Sequence, residues 1–139
     1  MRPHPEPGLE PIAREFLQAM QACVRGVDYE RARPLFAEDV VAFGTVARVV
    51  SGREHLEAEQ WRNVWPTIRE FTFDLSSLRC LGTRDGVCVV VAWDSLGVRP
   101  DGTTFQRPGR AMLLLEPRGG RWVATHSHFS LAPPQSLTK

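Results

Sequence analysis

The chain has 139 residues, 42% apolar and 24% charged, with 17 basic and 16 acidic side chains and a formal net charge of +1. That length suits one domain and, by the usual scaling, buries roughly two thirds of the unfolded surface, enough for a core that encloses a cavity. The balanced charge excludes the one-signed field that draws proteins onto nucleic acid or anionic lipid, so neither nucleic acid nor a membrane is expected as a partner.

The opening "MRPHPEPGLEP" lacks the apolar run of a signal peptide, and no segment approaches the ~20 apolar residues of a membrane span. A cytoplasmic protein is expected. Residues 1–8, rich in proline and charge, read as a loose tail, residues 9–134 as a single domain, and residues 135–139 as a short C-terminal tail. Ile12, Phe16, Met20 and Cys23/Val24 recur at three to four residues, which predicts an amphipathic helix from Pro11 to about Val24, ended by Gly26. Asp28 can cap a short second helix through "YERAR", which Pro34 stops by removing an amide donor.

"VVAFGT" reads as a short strand. "SGREHLEAEQWRNVW" follows, with Ser51 and Glu54 at the spacing that lets each side chain satisfy the other's end of a helix start. Trp61, Val64, Trp65 and Ile68 supply that helix with an apolar face until Pro66 interrupts it. After Arg69 the sequence reads as an antiparallel meander, with strands at about 70–81, 87–98, 103–116 and 121–131. Asp85-Gly86, Asp101-Gly102 and Gly119-Gly120 sit between them as tight-turn pairs. Helices first and a curved antiparallel sheet after is an α+β layout. Cys23, Cys80 and Cys88 are odd in number without CxxC spacing, so they read as reduced, mostly buried thiols.

This order of elements and the strings "DYERARPLFAEDVVAFG", "VSGREHLE", "RPDGTTFQRPGRAML" and "GGRWVATHSHFSLAPP" resemble the nuclear transport factor two-like superfamily over roughly residues 10–134. Its members include ketosteroid isomerase, SnoaL-like polyketide cyclases and the association domain of calcium/calmodulin-dependent kinase. The last string is similar to the tail of the association-domain and SnoaL-like branch. The resemblance implies a cone, a cystatin-like α+β barrel in which the sheet wraps around the N-terminal helices and a pocket. It also implies a homodimer or larger homo-oligomer formed through the outer sheet face. Activity does not carry over, because isomerases, cyclases, hydrolases, dehydratases and non-catalytic scaffolds share the fold. Where the kinase association domain carries pocket arginines, this chain has Ser95, Leu113 and Phe129, which implies a less cationic pocket. The strand after "AEDV" offers Phe43 and Gly44 in place of the catalytic aspartates of ketosteroid isomerase.

Counting back from a two-residue turn at Gly119-Gly120 sets Leu113 opposite His126 and Ala111 opposite His128. Both histidines then lie on the more apolar face with Leu115, Trp122 and Ala124, taken as the concave one. The same count around Asp101-Gly102 sets Asp94 opposite Gly109 on that face. Asp94 and His128 are then two strands apart, roughly 10 Å between backbones, with only Gly109 and Ala111 between them. A carboxyl and an imidazole paired in an apolar pocket can shuttle a proton near neutral pH. A bulge at Pro108-Gly109 would instead turn Asp94 to the other face, where Arg107 or Arg110 could pair with it.

For His126 and His128 three readings stand: pocket-wall residues bonded to backbone, catalytic or ligand-contacting groups, and metal ligands. A metal site needs three or four ligands, and no glutamate and third histidine stand at cupin spacing, so no metal and no cofactor is expected. Trp61, Trp65, Trp93, Phe16, Met20, Tyr29 and Phe43 are core candidates, and in a cone the core and the pocket wall overlap. The expected function is binding of a small apolar or polycyclic molecule, with cofactor-independent proton transfer of isomerase, cyclase, dehydratase or hydrolase type as one outcome. Asp94 or His128 would move the proton, and His126, Tyr29 or Ser95 would hydrogen-bond a developing oxyanion. The alternative is a non-catalytic association module whose outer face, with Met112, Leu114 and Val123, forms an oligomer interface.

Overall fold

The computed structural model describes residues 7–133; most of the expected N-terminal tail and the whole of 135–139 lie outside the described residues. Pro7–Leu9 forms one 3-10 turn that leads into helix α1, Glu10–Gly26. Ala13, Phe16, Leu17, Met20, Cys23 and Val24 make its buried stripe. The helix ends at Gly26 as expected, and Val27 after it takes the left-handed conformation, its N–H returning to the carbonyls of Cys23 and Val24. Asp28 caps α2, Tyr29–Ala32, by accepting from the Arg31 N–H, as its position predicts.

Strand β1, Phe36–Phe43, and the two-residue β2, Val50–Ser51, come next. The expected Ser51 cap is not formed: Ser51 pairs in β2, and Gly52, at φ 100°, stands at the start of α3, Arg53–Leu56. A π-helical turn, Glu57–Trp61, then widens the helix before α4, Arg62–Val64. This extra residue per turn buries Glu57, Gln60 and Trp61 together, at 8%, 8% and 2% exposure. A 3-10 turn, Trp65–Thr67, carries Pro66 and closes the helical part.

The sheet comprises β1 and β2 with β3 (Ile68–Gly82), β4 (Val87–Val98), β5 (Thr104–Gln106), β6 (Gly109–Arg118) and β7 (Arg121–Leu131). Its order is β2-β1-β7-β6-β4-β3, with β5 pairing β4. The meander is antiparallel as expected, but β1 joins β7 in parallel, so the sheet is mixed, and β2 and β3 leave it open rather than closed. Register shifts in β3, between Arg69 and Thr72 and between Asp74 and Arg79, and in β7 next to Ala124, bend it into a trough. α1 lies across this concave side, and its Gln21 and Arg25 serve the free edge of β3: Gln21 Oε1 accepts from the Phe73 N–H, and Arg25 Nε donates to the Phe71 carbonyl. These bonds occupy backbone groups that an edge strand would otherwise offer to another chain.

Glu57 anchors the helical cap from the other side. Its carboxylate accepts from Arg33 Nε at 2.7 Å and from Arg62 NH2 at 2.7 Å, while Arg62 also stacks over the Tyr29 ring at 4.3 Å. The hydrogen bonds from Arg33, with those from Arg62, outweigh burial and hold the Glu57 carboxyl down from 4.5 to about 2. Because the folded value is the lower one, its stabilisation is complete above the ordinary value and is lost as pH falls toward about 2. Glu57→Gln is expected to cost roughly 1–3 kcal/mol at pH 7, in urea unfolding, and the gap to the parent should close as pH drops from about 4.5 to about 2. A gap of constant size over that window would mean that the ionised carboxylate is not its source.

Candidate functional site

Two single-residue displacements decide which side chains the trough presents. At the first hairpin Arg99 N–H donates to the Thr103 carbonyl and Val98 pairs with Thr104, so the loop is the three residues Pro100, Asp101 and Gly102, with Gly102 at φ 89°. Three-residue hairpins place a glycine in this position because its positive φ carries the turn back into the strand. The two-residue turn expected from the sequence is one residue short, and Trp93, not Asp94, faces Gly109. Asp94 therefore points to the outer surface, where its carboxylate accepts from the Ser95 N–H; neither Arg107 nor Arg110 pairs with it. No bulge at Pro108-Gly109 is needed, since the β4 register runs without a shift from Val98–Thr104 to Trp93–Gly109.

The second displacement lies in β7. Gly119 and Gly120, at φ 58° and 84°, form the expected tight turn, and Leu115 pairs with Ala124 as predicted. Thr125 then has no partner: the next pair is Leu114 with His126, followed by Leu113 with Ser127 and Met112 with His128. One extra residue sends every later side chain to the opposite face. Ser127 and Phe129 turn inward, and His126 and His128 stand on the outer face.

The expected proton relay is thus taken apart by the structure. Met112 lies opposite both Val90 and His128, so His128 is level with a residue four positions along β4 from Asp94, on the order of 13 Å of strand. His126 Nδ1 donates to the Val41 carbonyl at 2.8 Å, and His128 stacks on Phe43 with ring centroids 4.0 Å apart. Burial, with the charges of His126 and Arg110, holds His128 below the usual imidazole range. These are the backbone-bonded and wall-type roles of the first reading, played on the outer rather than the inner wall.

The inner face holds a cavity lined by Met20 and Val24 of α1, Leu56, Trp61, Val64 and Trp65 of the helical cap, Phe71, Trp93, Ser127 and Phe129 of the sheet, and Gly44 and Thr45 after β1. Gln60 and Arg107 complete it. The aromatic pairs Trp61–Trp65 at 4.9 Å and Phe71–Trp93 at 5.5 Å form much of the wall. Of the expected ligand contacts, Met20, Trp61, Trp65, Trp93 and Phe43 line it, Phe43 from the rim. Phe16 lies behind the wall against Phe36, Tyr29 stacks on the far side of Trp65, and Ser95 is buried with its hydroxyl donating to the Arg107 carbonyl. The volume open to water centres is ≈ 40 Å³, room for about three waters.

Its polar corner was not anticipated. Gln60 Oε1 accepts from the N–H groups of Val46 and Ala47, and its Nε2 donates to Thr45 Oγ1, which pins the strap 44–47 across the cavity. Arg107 donates to the same Thr45 oxygen at 3.0 Å and lies 5.6 Å from the Trp93 ring centre. Gln60 was legible as a polar residue one turn from Leu56 and Val64 on the apolar stripe; Arg107, on the link between β5 and β6, had no such signal. The pocket is therefore cationic at a position other than those compared from sequence. Among the described residues, no group of three or more His, Cys, Asp or Glu side chains could hold a metal ion, and no helix is long and apolar enough to cross a membrane.

An open curved sheet with helices over its concave side and a small cavity between them defines the cystatin-like, nuclear transport factor two-like class of α+β domains. Residues 13–134 match the model of the SnoaL-like domain family, and the chain belongs to that family. No curated protein matches. Among solved structures, a nuclear transport factor 2-like superfamily protein from Salmonella enterica superposes with TM-score 0.78 at 14% identity, covering 96% of this chain and 97% of that one. A putative dehydratase from Streptomyces avermitilis gives 0.77 at 15% identity, covering 93% and 100%. A ketosteroid isomerase-like protein from Erwinia carotovora gives 0.75 at 15% identity, covering 89% and 96%. At such identities the likeness establishes the fold alone.

Trp93 keeps its place because Gly109 has no side chain: a Cβ there would overlap the indole and the Ser130 carbonyl. Gly109→Ala is expected to cost roughly 1–3 kcal/mol by urea unfolding, with an altered Trp93 environment in the near-UV circular dichroism. A cost below about 0.5 kcal/mol would show that the indole has room to move aside.

Proposed function

We propose that this domain is a binding protein for a compact, largely apolar small molecule, about one ring in size, taken into the cavity under the 44–47 strap. The observation that carries this reading is the wall itself, in which aromatic and aliphatic side chains from α1, the helical cap and strands β1, β3, β4 and β7 converge on one small space with few polar groups. The closed cavity, at ≈ 40 Å³, is short of the roughly 150 Å³ that encloses benzene, so a polycyclic ligand is excluded and even one ring enters only with the strap displaced outward. The strap supplies the way in: polar links to Gln60 and Arg107 and the buried Ala47 hold it, while Val46 and Val49 within and beside it are 55% and 72% exposed and do not resist its opening. Arg107 is the ionisable side chain among the described lining residues, which favours binding over acid–base turnover at this wall. Toluene is expected to raise the thermal midpoint saturably, by roughly 2–6 °C, and Ser127→Leu, which fills the cavity, to abolish the rise. No shift in the parent protein, or an equal shift in the variant, would overturn the reading.

A second proposal concerns the outer sheet face. Val41 and Val90 are 43% and 40% exposed there, beside half-buried Met112 and Leu114, and this apolar surface supports self-association into a homodimer. The parent protein should sediment as a dimer and Val90→Asp as a monomer with a similar thermal midpoint; a monomeric parent at tens of micromolar would exclude the interface. We also place the protein in the cytoplasm, a reducing compartment that suits the free thiols of Cys23, Cys80 and Cys88.

A further inference from the structure

We infer that the ligand of this cavity is a monocarboxylate, its apolar body packed against the tryptophans and its single anionic group bound by Arg107 and the Trp93 indole N–H. The inference rests on the small-molecule reading above and adds the charge of the ligand to it.

Two residues that line the cavity carry donors with unspent capacity. Trp93 is 3% exposed, and its Nε1 is buried with no acceptor among the described groups. A buried N–H is costly to leave unmade, so a ligand that brings it an acceptor gains affinity. Arg107 is the neighbouring donor. Among the described residues no carboxylate lies within 4.0 Å of its guanidinium, and of its five N–H groups one is engaged, with Thr45 Oγ1. Burial disfavours its charge, as the lowered proton affinity of the group reflects. A cation in that situation gains from an anion far more than from a neutral acceptor.

The geometry also limits the anion. The guanidinium carbon lies over the indole, 5.6 Å from its centre, so an anion held by Arg107 lies next to the Trp93 ring. Arg107 is the lone cation of the lining, and beside it the wall offers only the Ser127 hydroxyl, the bonded Gln60 and Thr45, and apolar side chains, which disfavours a second charge. An aromatic or alicyclic monocarboxylic acid fits these limits.

Isothermal titration with sodium benzoate and with nitrobenzene, its neutral isostere, tests the inference. Benzoate should bind the parent protein roughly tenfold or more tightly than nitrobenzene. Arg107→Gln should remove that preference while nitrobenzene still binds, which also reports that the variant is folded. Trp93→Phe, which keeps most of the packing, should weaken benzoate several-fold. Equal affinities in the parent would overturn the carboxylate inference and leave the cavity reading standing. Benzoate binding unchanged by Arg107→Gln would place the anion elsewhere and overturn it too. Failure of both probes to bind would remove the cavity reading and the inference with it.

Discussion

Thr125 has no partner on β6, and from that point to Leu131 its insertion decides which side chains of β7 face the trough. With the bulge, Ser127 and Phe129 complete the inner wall, and Phe129 reaches the Phe71, Phe73 and Trp93 rings at centroid distances of 6.2–6.5 Å. Without it, two imidazoles would replace a hydroxyl and a phenyl ring, and Phe129 would be turned out to solvent. The bulge also bends the strand that carries both β1 and β6, so the same residue contributes to the curvature that makes room for α1 and the cavity.

The cavity sits where three parts of the chain are held by different physics. The sheet side is fixed by register and by the close approach of Trp93 to Gly109. The helical side is fixed by the π-turn, whose Glu57 is clamped by two arginines while Gln60 and Trp61 are turned inward. The rim is fixed by hydrogen bonds from Gln60 and Arg107 to the 44–47 strap and by the burial of Ala47. Two rigid walls and one polar-hinged rim are what a pocket that must admit and then enclose a ligand requires. The polar corner that holds the rim also contains Arg107, the group to which the carboxylate is proposed to bind.

Much of this was legible from local chemistry. The helical period of Phe16, Met20 and Val24, the Asp28 cap and the Gly119-Gly120 turn are nearest-neighbour signals, and the structure repeats them. The capping-box spacing at Ser51 was a weaker local signal, and it lost to strand pairing with Val41, which used the same residue for β2. The candidate site fared differently. Met20, Trp61, Trp65 and Trp93 were found because large apolar residues face inward whatever the register. Asp94, His126 and His128 were misplaced because their faces depend on counting along strands, and a count fails wholly when it is wrong by one.

The sequence by itself determined the family, the order of elements and the apolar content of the core, because hydrophobic period and turn chemistry act over a few residues. Only the tertiary structure decided the site. A third residue in the hairpin loop and a bulge at Thr125 are each stabilised by contacts between distant strands, and Arg107 reaches Thr45 across 62 positions of chain. Such pairings are selected by the packing of the whole trough, and no local pattern encodes them.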